Sequence, residues 1–191
     1  IVLLVLISVA TSLCHSGYIY VPGDYLLIQD AISASSTGDT IWVGDGLYTG
    51  NGQTNLDLQG KNITLRSENG KDNCIIDGEH TNRAFILDSG ETTSTRIYDF
   101  TIRHGHSTGA GGGLHCSSSA VTVENCLFEN CYAVNGGAVS IQNGQVMFYN
   151  CHFRQNTASQ TGGAISTNDS IDCLNCQFES NNTLDTSGSL G

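Results

Sequence analysis

From residue 111 onward, apolar residues alternate with polar ones in short runs instead of recurring at helical spacing. Val121 and Val123, Val146 and Phe148, and Ile171 and Cys173 each mark one strand. Each strand runs into the same tetrapeptide: Asn125-Cys126-Leu127-Phe128, Asn150-Cys151-His152-Phe153 and Asn175-Cys176-Gln177-Phe178, recurring at equal intervals. A second strand precedes each, opened by glycines at Gly111-Gly112-Gly113-Leu114, Gly136-Gly137-Ala138-Val139 and Gly162-Gly163-Ala164-Ile165, with a single inserted residue before the third. A unit of about 25 residues holds several short strands, has no room for a helix and cannot bury its apolar side alone, so successive units must stack. The pattern predicts an all-β fold, a right-handed parallel β-helix (a solenoid built from such coils), with a short N-terminal capping helix.

Stacking sets like on like at a rise of roughly 4.8 Å per coil. Phe128, Phe153 and Phe178 form one inner ladder, and Cys126, Cys151 and Cys176 another. Neighbouring thiols in that ladder are near disulfide distance, but stacked free thiols acting as small apolar residues are the favoured state. Asn125, Asn150 and Asn175 fall at a corner, where amides can bond their copies and the left-handed backbone is tolerated. Gly112, Gly136, Gly137, Gly162 and Gly163 supply the other corner.

Upstream the coils are looser. Leu27, Ile28, Ala31 and Ile32 are at helical spacing, so Tyr25 to Ser33 reads as an amphipathic helix that hides unpaired strand edges. Strands follow at Thr40 to Val43, Ile63 to Leu65, Cys74 to Ile76, Ala84 to Leu87 and Arg96 to Arg103. Asp99-Phe100-Thr101-Ile102 precedes Asn125-Cys126-Leu127-Phe128 by nearly the same interval, which extends the repeat backwards.

Residues Ile1 to Ala10 are apolar or small and too short for a confident membrane span. They suit the core of a signal peptide over residues 1–17, cleaved between Cys14 and Gly17; a first strand or a retained anchor is the alternative. Residues 18–191 then read as one β-helix domain; Ser187 to Gly191 supply no cap, so the expectation is that the chain continues past Gly191 or that its open end is covered by something else. No transmembrane span is expected in the mature chain. Secretion permits disulfides, and removing Cys14 leaves seven cysteines of the eight, an odd number. Asn62, Asn168 and Asn181 begin glycosylation sequons. The net charge is −11 with only seven Lys and Arg, which argues against a nucleic-acid partner.

Gly136-Gly137-Ala138-Val139 and Gly162-Gly163-Ala164-Ile165 are similar to the GGA[ILV] motif of polymorphic outer membrane protein repeats. Phe153-Arg154-Gln155-Asn156 and Phe178-Glu179-Ser180-Asn181 resemble the FxxN motif of the same family. The first coil departs from both, with Gly113 for Ala and Cys131 for Asn. Ile28 to Ile32, Gly38 to Val43 and Ile75 to Gly78 resemble the opening of the wider pectate-lyase-like superfamily. The resemblance implies the fold, and it implies surface adhesins, lyases or hydrolases as roles.

The acids of the three clear coils, Glu124, Glu129, Asp169, Asp172 and Glu179, do not form a catalytic pair. Glu129 and Glu179 share a coil position two coils apart, roughly 9.6 Å. Arg103-His104-Gly105-His106 reads as a polar turn in preference to a catalytic histidine. Asp45, Asn51, Asn55 and Asp57 could offer oxygens to Ca²⁺, the one weak cofactor reading, but fit no loop motif. Cys173 and Cys176 form a C-x-x-C without the second pair a zinc site needs. No residue is assigned a catalytic or metal-binding role. The leading expectation is a secreted or cell-surface structural or adhesive protein that binds an extracellular carbohydrate or protein ligand. A polysaccharide-binding or polysaccharide-degrading protein is the first alternative. A filament subunit, self-associating through an open β-helix end, is the second. A line of aromatic and acidic residues on one outward face, with a bound Ca²⁺, would favour the first alternative.

Overall fold

A computed structural model describes residues 17–184, so residues 1–16 of the expected signal peptide and the expected open end after Leu184 lie outside the described residues. The described chain winds as about seven stacked coils of parallel strands, with one helix, and so is the parallel β-helix expected from the repeat. Three long sheets run along the axis. The first contains Tyr18–Val21, Thr40–Val43, Thr64–Ser67, Arg96–Tyr98, Ala120–Glu124, Gln145–Tyr149 and Asp172–Leu174. The second contains Gly46–Tyr48, Cys74–Asp77, Thr101–Arg103, Leu127–Glu129, His152–Arg154 and Gln177–Glu179. The third contains Leu56–Asp57, Phe85–Leu87, Leu114–Ser117, Val139–Gln142 and Ile165–Thr167. A short fourth sheet, Tyr132–Asn135, Thr157–Thr161 and Asn182–Thr183, joins the second sheet to the third in the later coils.

The inward side chains of each sheet stack in register. Ile41, Leu65, Ile97, Val123, Phe148 and Cys173 form one inner line. Its numbering shows uneven early coils, the longest from Leu65 to Ile97, and nearly constant ones after Ile97. Ile76, Ile102, Phe128, Phe153 and Phe178 form the line across from it. Phe153 stacks on Phe128 at 5.1 Å and on Phe178 at 4.9 Å between ring centres, with the ring planes nearly parallel, and meets Phe148 edge-on at 5.2 Å. Phe178, in the last described coil, is exposed.

Corners break the strands. Asp99, Asn125, Asn150 and Asn175 all adopt left-handed φ, between 53° and 66°, at the corner from the first sheet to the second. Arg96 to Arg103, expected as one strand, is therefore two, separated by Asp99 and Phe100. The glycine corner uses two different properties. Gly111, Gly136 and Gly162 have φ of 64–68°, whereas Gly112, Gly137 and Gly163 are needed because the neighbouring coil comes too close for a side chain. A Cβ on Gly137 would overlap the Gly163 carbonyl oxygen and lie 2.6 Å from that of Thr157.

The helix is Ile28–Ala34, starting later than expected because residues 22–27 turn out of an unforeseen first strand, Tyr18–Val21. Ile28, Ala31 and Ile32 are buried. Its Gln29 amide donates to Asp57 O at 3.0 Å and accepts from Asp57 N at 2.9 Å, which satisfies the free edge of the third sheet. Lys61 Nζ donates to the Ile32 and Ser33 carbonyls at 2.7 and 2.8 Å, holding the helix C-terminus.

The outer rim of the second sheet carries Asp77, Arg103, Glu129, Arg154 and Glu179 in register, one per coil and alternating in sign. Arg103 Nε bonds Asp77 Oδ2 at 2.7 Å and Arg154 Nε bonds Glu129 Oε2 at 2.8 Å. Arg154 thus stands on the coil between Glu129 and Glu179.

Gly137→Ala should lower stability by about 2–3 kcal/mol in denaturant unfolding, because the added methyl forces two coils apart. Gly109→Ala, with nothing nearer than Ser107 Oγ at 3.8 Å, should stay within about 0.5 kcal/mol of wild type.

Candidate ligand-binding face

Outward side chains of the first sheet form a second register line. Tyr20, Trp42, Arg66 and Tyr98 follow one another coil by coil, continued by Glu124, Tyr149 and Leu174. Strand alternation puts them there: their neighbours Ile41, Leu65, Ile97, Val123 and Phe148 are buried, so every second residue must face out.

Three hollows open along this line. One of about 420 Å³ is lined by Tyr20, Trp42, Glu68 and Asn69. The next, about 460 Å³, lies among Arg66, Tyr98, Asp99, Glu124, Asn125 and Asn150. The third, about 570 Å³, shares Glu124 and Asn150 with it and extends to Arg96, Tyr149, Asn175 and the loop residues Thr93 and Ser94. The latter two form one trough parallel to the solenoid axis.

Its side chains are held in place. The Arg66 guanidinium lies 4.3 Å from the Trp42 ring centre and 5.9 Å from that of Tyr98, and its Nη2 bonds Asp99 Oδ2 at 3.3 Å. Asp99 Oδ1 accepts from Asn125 Nδ2 at 2.5 Å, and Asn125 Oδ1 accepts from Lys71 Nζ at 3.3 Å. Arg96 Nη1 donates to the Tyr98 hydroxyl at 2.5 Å. Glu91, buried beside the loop wall, accepts from Gly60 N at 2.8 Å and Ser119 Oγ at 2.8 Å, which anchors the wall to both neighbouring coils.

The corner asparagines do two jobs. Asn175 Nδ2 donates to Asn150 Oδ1 at 3.4 Å, while Asn125 bonds Asp99, the residue at the same corner one coil below. The same three asparagines form one wall of the trough. A second amide ladder went unread in the sequence. Asn156 is fully buried; its Nδ2 bonds Phe128 O at 3.0 Å and Asn181 Oδ1 at 2.9 Å, and its Oδ1 accepts from Cys131 N at 3.1 Å. The FxxN spacing was its signal.

The three sequon asparagines differ. Asn181 Nδ2, the atom a glycan would occupy, donates to Phe153 O at 2.8 Å. Asn62 Oδ1 accepts from Thr92 N, Thr92 Oγ1 and Thr95 Oγ1, all within 3.0 Å. Asn168 is exposed in the turn between the third sheet and the first.

Other candidate residues do not converge. Asp45 accepts from Asn69, Asn55 donates to Asn82, and Asp57 accepts from Gln59 N, each with its own neighbour. No group of three or more His, Cys, Asp or Glu able to hold a metal ion occurs among the described residues, and no helix there is long and apolar enough to cross a membrane. Cys74, Cys116, Cys126, Cys131 and Cys151 are buried free thiols. Burial pushes the Cys74, Cys116, Cys126 and Cys131 thiols up to about 12, which keeps them neutral. His152 lies on the second sheet's outer side, 3.3 Å from Glu179. His115 is outward on the third sheet and half-buried, and its pKa is lowered by burial and then by Arg83.

His104 is a corner residue with φ of 49°, beside the buried Asp77. Its Nδ1 lies 3.1 and 3.2 Å from the two Asp77 oxygens, and its ring centre is 4.5 Å from that of His80. Burial alone would raise the Asp77 pKa, but bonds from Glu79 N, Arg103 and His104 outweigh it and leave it lowered. A carboxyl whose folded pKa lies below its unfolded one stabilises fully above the unfolded value and loses that contribution as pH falls through the folded one. Acidification below about pH 4 should therefore destabilise the wild type more than Asp77→Asn, measured by thermal midpoints across a pH series.

No family model, curated protein or solved structure matches the chain, so its function is read from its own residues.

Proposed function

We propose that the protein is a non-catalytic extracellular adhesin that holds an extended polysaccharide along the outward side of its first sheet. The observation that carries this reading is the trough itself. Hollows follow one another along one face, and aromatic Tyr20, Trp42, Tyr98 and Tyr149 share a register line with Arg66 and Glu124. Flat apolar rings beside hydrogen-bonding groups match the mixed character of a sugar chain, which has apolar C–H patches and a fringe of hydroxyls. A long open channel suits a linear polymer better than a small metabolite. The asparagine wall adds donors and acceptors at each coil, so successive sugar units meet similar partners.

A binding role is favoured over cleavage because, among the described residues, Glu124 is the one acid lining both hollows of the trough without a side-chain partner, and the acid near it, Asp99, is already engaged. Asp99 accepts from Arg66 through one oxygen and from Asn125 through the other. That leaves it an acceptor fixed in place, not a proton donor to a glycosidic oxygen. Glu129 is held by Arg154 on a different sheet. The GGA[ILV] and FxxN resemblance supports an adhesive role at the cell surface.

Trp42 is the chain's one tryptophan and lines this face, so its fluorescence reports occupancy. Titration with soluble linear polysaccharides (neutral β-glucan, galactan, mannan and polyuronide) should change Trp42 emission for at least one of them. Tyr98→Ala and Tyr149→Ala should weaken that binding about tenfold or more, and the wild type should release no new reducing ends. A flat emission trace with every polymer, together with unchanged mobility in affinity electrophoresis, would remove the reading. Sustained release of reducing or unsaturated ends would replace it with a catalytic one.

A further inference from the structure

Three of the chain's five arginines meet a carboxylate: Arg66 at Asp99, Arg103 at Asp77 and Arg154 at Glu129. Among the described residues Arg83 meets none, although it is half-buried where the chain turns into Phe85–Leu87 of the third sheet. Its Nε donates to Gly111 O at 3.1 Å, and its Nη2 donates to Ala110 O at 2.9 Å and to Ser107 Oγ. All three partners are neutral. Burial pushes the Arg83 pKa down with no carboxylate acting against it, and its charge is felt at His115, whose pKa it helps to lower. A half-buried guanidinium among neutral oxygens carries a charge that a bound anion would balance.

A hollow of about 200 Å³ opens beside it, across the loops of three successive coils: Asn55 in the first, Asn82 and Arg83 in the second, His106, Ser107 and Thr108 in the third. The backbone ladder holds these loops together, since Asn55 N donates to Arg83 O at 2.8 Å and His106 N to Asn82 O at 2.9 Å. The next coil closes over them: Ser107 N donates to Tyr132 O at 3.0 Å, and the His106 ring stacks on Tyr132 at 5.5 Å. Among the described residues no Asp or Glu lines the hollow, in a chain that has 18 of them. What lines it is a set of donors with protons to spare. Ser107 is only 6% exposed, and its Oγ accepts from both Arg83 Nη2 and Gly109 N, so its own proton has no acceptor among the described residues. Asn82 Oδ1 accepts from Asn55 Nδ2 at 2.9 Å, which leaves Asn82 Nδ2 free. Among the described residues nothing bonds Arg83 Nη1 or either ring nitrogen of His106.

We infer that this hollow binds a tetrahedral oxyanion, a sulfate or phosphate group, through Arg83 Nη1, Ser107 Oγ, Asn82 Nδ2 and the His106 ring. The guanidinium decides the class of anion. A carboxylate is held best by two parallel N–H bonds from one guanidinium edge. Here Nε and Nη2 are already turned onto Gly111, Ala110 and Ser107, so only Nη1 remains. The anion must therefore take single bonds from several side chains around it, which suits a group with oxygens in four directions. The hollow shares no lining residue with the trough, so the inference stands apart from the polysaccharide reading.

The test follows backbone amide signals of the whole, nitrogen-15-labelled protein by NMR while sodium sulfate or sodium phosphate is added, with ionic strength held constant by chloride. The expected result is saturable shifts at the amides of Asn82, Ser107 and Thr108, half-complete at roughly millimolar anion. Galactose 6-sulfate run beside free sulfate tells a sulfate ester from the free ion, by which of the two saturates the site at lower concentration. Asn82→Asp keeps an acceptor for Asn55 and puts a carboxylate in the hollow, so it should raise the half-saturation about tenfold or more with the rest of the spectrum unchanged. His106→Phe keeps a ring on Tyr132 but removes the ring nitrogens, and should weaken binding about threefold. Three results would overturn the inference: shifts that grow linearly without saturating, acetate binding as tightly as sulfate and phosphate, or undiminished binding in both variants.

Discussion

Every strand residue in this protein sits about one β-ladder spacing above its counterpart in the coil below, and that repeat decides what each position can hold. Apolar residues accept it readily, so the inner lines are Ile, Leu, Val and Phe, with aromatic rings stacked at 4.9–5.1 Å. Carboxamides accept it because each carries a donor and an acceptor, so an asparagine can bond its own copy, as Asn175 bonds Asn150 and Asn156 bonds Asn181. Charges of one sign cannot be stacked without repulsion. Among the described residues, the rim that carries a charge on five successive coils alternates Asp77, Arg103, Glu129, Arg154 and Glu179. A slip by one coil would set acid on acid and arginine on arginine. The alternation therefore fixes which coil meets which, while the amide and phenylalanine ladders fix the register within each pair.

The core of the last three coils was legible in the sequence because their length is almost constant, and so the same residue types return to the same place. Asn125, Asn150 and Asn175 recur at equal intervals and all prove to have left-handed φ. The helix was legible from Ile28, Ala31 and Ile32. Much of the binding face was not. It is spread over coils of unequal length, so Trp42, Arg66 and Tyr98 have no common spacing and belong to no repeat. Only the pairing of Trp42 with Arg66, and of Arg66 with Tyr98, shows that they are one line. The strands Gly46–Tyr48 and Leu56–Asp57 were hidden for a related reason: they are too short to alternate visibly. The charge rim was half seen, since Glu129 and Glu179 were recognised as equivalent but not the arginines that complete the line.

The ladder also explains why the trough is rigid. Its floor is strand backbone bonded on both sides, and its side chains brace one another through the Arg66 sandwich, the Asp99–Asn125 bond and the Arg96–Tyr98 bond. The loop wall is pinned by the Glu91 carboxylate to the coils above and below. A polymer that settles there would find its partners already ordered, so little conformational entropy is lost on the protein side.

Charge then bears on which polymer suits the proposed site. The chain carries −11 overall, and each of its seven cations already has an internal partner: Lys61 and Arg83 bond carbonyl oxygens, Lys71 bonds Asn125, Arg96 bonds Tyr98, and Arg66, Arg103 and Arg154 meet carboxylates. A polyuronate would bring a negative charge on every sugar toward an acidic surface, and it would have to take Arg66 from Asp99 and leave that carboxylate unpaired in the trough. A neutral glycan needs neither exchange. It can use the ring faces and the asparagine amides as they stand, so within the proposed function the electrostatics select an uncharged polysaccharide over an acidic one.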